Sequence, residues 1–349
     1  GYFRVTTHKP DLDNASGGRT KMKSYIYNTL IVLMLLVPNL LFAETSKILT
    51  IYTYDSFAAE WGPGPAIKIA FEKDCECNVE FVATSNAATL LAKIQLEGSL
   101  SNADIVLGLD QNFIAEASAT ELFIEHQIKP SLNITWEDNF FTPYDYGFFS
   151  FIYDKTKLIK PPKSMAELIE RDDIKIIVQD PRTSTPGLGL LLWIKSLYGS
   201  DAAKIWKKLN LKILTYTPGW SEAYGMFLKN EADMVLSYTT SPAYHLMYEN
   251  ESKYKSASFS EGHYMQIEVA GILRSSKNYK LAQKFMNFIS SKEFQIEIPK
   301  KNIMYPIVNI DLPVAYQALT KPTNGLILSS GMVTKFKKDW INEWLNHLQ

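Results

Sequence analysis

Apolar and polar positions alternate along Ile48-Leu-Thr-Ile-Tyr-Thr-Tyr54, a run rich in β-branched and aromatic side chains, which predicts a strand. A loop over 55–64 follows, punctuated by Trp61-Gly-Pro-Gly-Pro65, and Pro65 suits the first position of a helix running to about Lys73. Residues 79–83 return to strand character. Residues 89–97 then place Leu90, Leu91, Ile94 and Leu96 at helical spacing, with Gly98 as a stop. A third, buried strand is predicted over Ala103-Asp-Ile-Val-Leu-Gly108. This β-α-β-α-β order predicts a parallel sheet with right-handed crossovers.

Residues 144–153 are unusually aromatic and predict a strand by which the chain leaves this first unit. A second β/α pattern begins there. Helices are expected over 165–170, 186–197, 202–209 and from 241 to 249, with strands over 174–179 and 234–238. Residues 264–270 alternate again and predict a return crossing, after which 279–289, 292–296 and 333–347 are helical. The expected fold class is therefore α/β, with two lobes joined by crossing strands and a ligand cleft between them. The first lobe takes 44–148 with 265–349, and the second takes 149–264. Loops at the carboxyl ends of the strands would line the cleft.

The first 43 residues stand outside that pattern. Met22 and Lys23 open a short basic segment, Leu30–Val37 is apolar, Pro38 breaks it, and Leu41-Phe42-Ala43 offers a cleavage site. Residues 22–43 thus read as a cleavable signal peptide directing export to the periplasm, since the apolar core is short of the ~20 residues a bilayer span needs. Residues 1–21 read as a disordered upstream extension. The leader region carries five Lys/Arg and two Asp, so the mature chain is mildly acidic, and no Lys/Arg cluster points to a nucleic-acid partner. The only cysteines are Cys75 and Cys77. An oxidising compartment favours a disulfide, whereas the small ring of a Cys-x-Cys pair opposes it, and both states stay open. Neither these thiols nor His126, His245, His263 and His347 fall in a metal-binding spacing.

The candidate chemistry lies in three stretches: Asp180-Pro-Arg-Thr-Ser-Thr-Pro-Gly-Leu-Gly189, Gly219-Trp-Ser-Glu-Ala-Tyr-Gly225 and Ser237-Tyr-Thr-Thr-Ser-Pro-Ala-Tyr244. Thr183, Ser184 and Thr185 precede Pro186 at a helix start. That is an ordinary capping pattern, and also a place where free N–H groups and the dipole receive an anion. Trp220, Tyr238 and Tyr244 fall in turn-like surroundings, whereas Trp193 lies on an apolar helix face and reads as core. Tyr54 and Trp61 add two more rings near loop ends, and together these suggest a cage for a cation, with Asp55 as a nearby carboxylate. Packing rings and an Asx turn at Asp55 are the plainer alternatives. No Gly-x-Ser-x-Gly elbow is present, since Gly219-Trp-Ser-Glu-Ala223 lacks its second glycine. These residues suit holding a flat cation with an anionic tail, and not bond cleavage.

With those residues in place, the mature chain resembles the periplasmic thiamine-binding proteins of ABC transporters across nearly its whole length. Tyr52-Thr-Tyr-Asp-Ser-Phe-Ala-Ala-Glu-Trp-Gly-Pro-Gly-Pro65, 179–192, 219–225, 236–245 and Phe259-Ser-Glu-Gly-His-Tyr264 carry the resemblance. It implies a two-lobe type II periplasmic binding fold that closes on thiamine, thiamine monophosphate or thiamine diphosphate. It further implies a monomer without catalytic residues or cofactor, which delivers its ligand to an inner-membrane permease and its ATPase. Ser184 and Thr185 would contact the phosphate or hydroxyethyl end. Trp220, Tyr238, Thr239, Thr240 and Ser241 would supply ring and polar contacts, and Tyr54, Asp55, Trp61 and Tyr244 would complete the cleft. Two positions depart from the family pattern. Asn86-Ala87 stands where relatives often have Asp-Gly, turning a carboxylate contact into an amide one, and Ile303 stands where Trp is usual. Two rivals share the fold: a thiaminase-like enzyme, which needs a Cys nucleophile, and a ferric-ion-binding protein, which typically uses a Tyr-Tyr pair that is absent here.

Overall fold

The computed structural model describes residues 47–348, so the segments read over 1–43 lie outside the described residues. Strands β1 (Lys47–Tyr54), β2 (Cys77–Thr84) and β3 (Ile105–Asp110) alternate with helices α1 (Asp55–Ala58), α2 (Gly64–Cys75) and α3 (Ala87–Glu97). β1 pairs in parallel with both β2 and β3, as the alternating pattern predicts. Helix α4 (Ile114–Ala119) and strand β4 (Phe123–Ile124) lead to β5 (Phe141–Asp154). The second α/β series runs through α5 (Met165–Glu170), β6 (Ile176–Gln179), α6 (Thr185–Tyr198), α7 (Ala202–Leu209), β7 (Ile213–Thr217), α8 (Trp220–Leu228), β8 (Met234–Tyr238), α9 (Ser241–Glu249) and β9 (Tyr254–Ser256). The chain returns through β10 (His263–Leu273). It then forms α10 (Tyr279–Ile289), α11 (Lys292–Gln295), β11 (Tyr305–Pro306), β12 (Gly325–Leu326) and α12 (Ser330–Leu345).

The sheet path is β2-β1-β3-β10-β5-β8-β6-β7, so β10 and β5 join the two series. β5 explains its own aromatic composition. Its first half pairs with β10 and its second half with β8, and nearly all of its 14 residues are buried. A strand covered on both faces needs apolar side chains at every position rather than at alternate ones.

Both pairings of β10 slip by one residue, beside Glu268 against β5 and between Val269 and Ala270 against β3. Against β5, Glu268 faces Asp145 and Val269 faces Pro143, leaving Tyr144 as the extra residue. Against β3, Val269 faces Leu109 and Ala270 faces Leu107, leaving Gly108 extra. Bulges of this kind re-aim side chains beside functional sites. Gly108 has φ +124°, and a Cβ there would meet the Tyr54 ring at 2.5 Å, so this position requires glycine.

Several sequence expectations are corrected. Residues 55–58 form a helical turn rather than loop, β7 and α8 arise where no element was predicted, and Trp220 opens α8 rather than sitting in a turn. Tyr238 closes β8. The cause is shared: Ile213–Thr217 shows no clean alternation of burial, and α8 is only nine residues long, too short for a strong periodic signal. Cys75 and Cys77 are joined as a disulfide, with Glu76 between them at φ +51°. Helix α12 touches both series, through Lys337–Glu116 at 2.8 Å and Lys195–Glu343 at 3.1 Å, with Trp344 edge-on to Tyr216. Trp193 is fully buried, as its apolar face predicts.

Candidate functional site

Four helices that follow strands start close to one another. Asn86 caps α3 reciprocally: its Oδ1 accepts from Thr89 N (3.1 Å), while Thr89 Oγ1 accepts from Asn86 N (3.0 Å). Ser184 caps α6, its Oγ accepting from Gly187 N at 3.4 Å. A Cβ on Gly187 would lie 2.5 Å from the Gln179 carbonyl oxygen, so the cap is formed tight against the end of β6. Gly219 precedes α8 and donates its N–H to Glu222. At the start of α9, Ser241 Oγ accepts from Tyr238 N (3.3 Å) and pairs with Ser237 Oγ (2.7 Å). Cross-links bring these starts together. Asn86 Nδ2 donates to the Thr183 carbonyl, joining α3 of the first series to α6 of the second. Thr183 Oγ1 donates to the Pro218 carbonyl (2.7 Å), joining α6 to α8. Clustered helix starts concentrate free N–H groups and positive dipole ends, a setting for an anion.

Trp220 stands at this junction. Its indole N–H donates to Ser237 Oγ (2.8 Å), and one ring face stacks on Tyr224 at 4.9 Å and 25°. The ring is still 36% exposed, so it can receive a flat ligand. Tyr238 packs against Phe149 and donates its hydroxyl to Gln266 Oε1 (2.7 Å). Thr240 Oγ1 donates to the Ile303 carbonyl (2.5 Å), a second link to the chain beyond β10. Thr239 Oγ1 is buried without a partner.

Beneath Tyr54 and Tyr238 lies a row of acids. The register places Asp110 on β3 opposite Glu268 on β10, and Glu268 opposite Asp145 on β5. All three are buried. Like charges opposite one another across strands are unfavourable, and burial adds to this. Burial, followed by the charge of Glu268, pushes Asp110 up to about 7, although Asn112 N–H opposes the rise. Burial and then Glu268 hold Asp145 well above the usual carboxylate range, and burial raises Glu268 too. Tyr144 donates to Glu268 Oε2 (2.6 Å), and Asn302 bridges Asp145 Oδ2 (2.6 Å) and the Tyr54 hydroxyl (3.0 Å). Burial raises Tyr54 and Tyr238 far above their usual range, so both stay neutral hydroxyls.

Residues 101–323 match the family model described as bacterial extracellular solute-binding protein. The chain is 51% identical over 316 residues to the thiamine-binding periplasmic protein of Escherichia coli (strain K12), a match covering 89% of this chain and 96% of that one. The chain belongs to the thiamine-binding periplasmic protein family. A solved structure titled periplasmic thiamin binding protein is 50% identical, with TM-score 0.85, covering 88% of this chain and 98% of that one. The ferric binding protein from Campylobacter jejuni, at 19% identity and TM-score 0.72, covers 86% of this chain and 99% of that one and shares the fold alone. These likenesses establish the two-lobe type II periplasmic binding protein fold.

Against that family background, the expected residues divide into groups. Ser184, Thr185, Trp220, Tyr238, Thr239, Thr240 and Ser241 gather at the starts of α6, α8 and α9. Asn86 reaches the same junction through Thr183, while Ala87 is buried as the first residue of α3. Tyr54 is hydrogen-bonded to Asn302 and Tyr144 beside the acid row, and makes no ring contact with Trp220. Tyr244 is 44% exposed and packs on His245 and Tyr248. Asp55 is exposed at the start of α1, and Trp61 is 62% exposed with no ring partner among the described residues. Hydrogen bonds link Thr183, Ser237, Ser241 and Trp220 at this junction, and no hydrogen bond or ring contact ties the side chains of Asp55 or Trp61 to it among the described residues. Ile303, expected from the sequence to depart from the family pattern, is a β-branched residue at φ +54°, where such side chains are strained. Sequence reasoning missed Asp110, Asp145 and Glu268. No single strand marks them, since β5 also carries Asp154 and the row forms only where three strands pair. The thiol nucleophile of the enzyme rival is not free, because both cysteines are in the disulfide.

Proposed function

We propose that this protein captures thiamine and its mono- and diphosphate esters in the periplasm and presents them to an inner-membrane permease driven by an ATPase. The reading assigns 44–148 with 265–349 to one lobe and 149–264 to the other. On that assignment α12 belongs to the first lobe, where Lys337 pairs with Glu116, and reaches the second through Lys195–Glu343. It takes residues 22–43 as the export signal and the mature chain as a monomer.

The observation that carries this reading is the junction at Trp220. An indole ring is pinned at its N–H edge and on one face, with its other surface partly open. Beside it, Asn86 and Thr183 tie two helix starts across the two series. A flat aminopyrimidine suits the ring, a phosphate suits the helix starts, and a thiazolium cation suits the acid row. Support also comes from the names of the relatives, which are thiamine-binding. Calorimetric titration of all three thiamine forms onto residues 44–349, stripped by unfolding and refolded, tests it. Saturable one-to-one binding is expected, and no heat with any of the three overturns the reading.

A further inference from the structure

Behind Trp220 lies a chain of side chains that the ligand itself would not touch. Trp220 and Tyr224 are four residues apart on α8, hence on one face, and their rings stack at 4.9 Å. Tyr224 is 6% exposed, and its hydroxyl lies 2.9 Å from His245 Nε2. His245, 1% exposed on α9, directs Nδ1 to Glu249 Oε2 at 2.7 Å, one turn further along the same helix. The Glu249 carboxylate can only accept, so it fixes the proton on Nδ1 and leaves Nε2 to accept from the Tyr224 hydroxyl. The Tyr224 and His245 rings are nearly parallel, at 13°. Burial raises Tyr224 beyond any physiological titration, which keeps its hydroxyl a donor.

We propose that Tyr224 and His245, oriented by Glu249, are positioning residues that set the plane of the Trp220 ring before ligand arrives. The proposal rests on the thiamine-binding reading above. The geometry explains why the relay runs through a hydrogen bond. A stacked ring alone leaves its neighbour free to tilt and slide. Here Tyr224 is locked in its own plane by His245, and Trp220 is locked at its edge by Ser237, so the indole has few ways to move. A surface that need not be ordered on binding loses less entropy, and affinity rises without any added ligand contact.

The test is a double-mutant cycle with Tyr224→Phe, which keeps the ring and removes only the hydroxyl, and Trp220→Ala. Tyr224→Phe is expected to weaken thiamine binding about threefold to tenfold, the range for one lost buried hydrogen bond. In the Trp220→Ala background the same change is expected to have no effect. Unchanged affinity, or an equal loss in both backgrounds, overturns the inference. A second readout needs no ligand. The near-ultraviolet circular dichroism owed to Trp220, taken as the difference from a Trp220→Phe counterpart, should shrink in Tyr224→Phe. If that signal is unchanged, the relay does not position the ring. If it shrinks while wild-type protein fails to bind thiamine, the positioning stands and the thiamine reading falls.

Discussion

Replacing Asp110 by Asn should make the protein more resistant to rising pH. Asp110 sits in a row with Glu268 and Asp145, its Oδ1 accepting from Asn112 N and its Oδ2 buried without a partner. The other charged group acting on it is Lys337, a weak opposing influence. Burial raises the group from 3.8 to about 7, so the folded state keeps a proton that the unfolded state releases near 3.8. Its contribution to stability is therefore fully present below about 3.8 and is lost as pH climbs to about 7. Three units at ~1.4 kcal/mol each amount to about 4 kcal/mol. Asn keeps the acceptor for Asn112 and carries no charge. Urea unfolding followed by circular dichroism at a series of pH values reads the effect. The stability of Asp110→Asn relative to wild type should grow by about 4 kcal/mol between pH 4 and 8. A gap that stays constant or narrows would refute the assignment of a buried, proton-holding Asp110.

Other outcomes follow from the same geometry. Trp220→Ala should weaken every thiamine form by about 1–3 kcal/mol, the scale of a lost stacking partner, as measured by titration calorimetry. Ser184→Ala combined with Thr185→Ala should weaken the phosphate esters more than free thiamine, and equal losses would remove these hydroxyls from the anion site. The same pair should lower stability by ~1 kcal/mol through the lost α6 cap, seen in thermal unfolding. Cys75→Ser with Cys77→Ser should cost about 1–2 kcal/mol of stability, because the closed ring is short, and leave thiamine affinity unchanged.

The fold was legible wherever one period held for a full element. β1, α3 and α6 were marked by alternation, by a leucine stripe or by hydroxyl-proline starts, and they formed close to where expected. The crossing role of β5 was readable because two-sided burial leaves a distinctive run of rings. β7 and α8 were not legible, being short and half-buried, and α8 carries the central ring. Among site residues, helix-start hydroxyls were visible because capping is a local rule. The acid row was not, since it exists only through pairing of three strands distant in sequence, two of them slipped by bulges. The Tyr224–His245 contact was hidden for a similar reason. His245 is buried, and its partner Tyr224 lies on another helix, where no local spacing points to it.

The central claim is that one pinned indole and a set of helix starts grip opposite ends of the same small molecule. A crystal structure with thiamine monophosphate tests it most directly. The account predicts a ligand ring lying against the open face of Trp220, with the phosphate at the N–H groups near Ser184. A ligand bound away from Trp220, or with its phosphate turned toward Asp110 and Glu268, would contradict it.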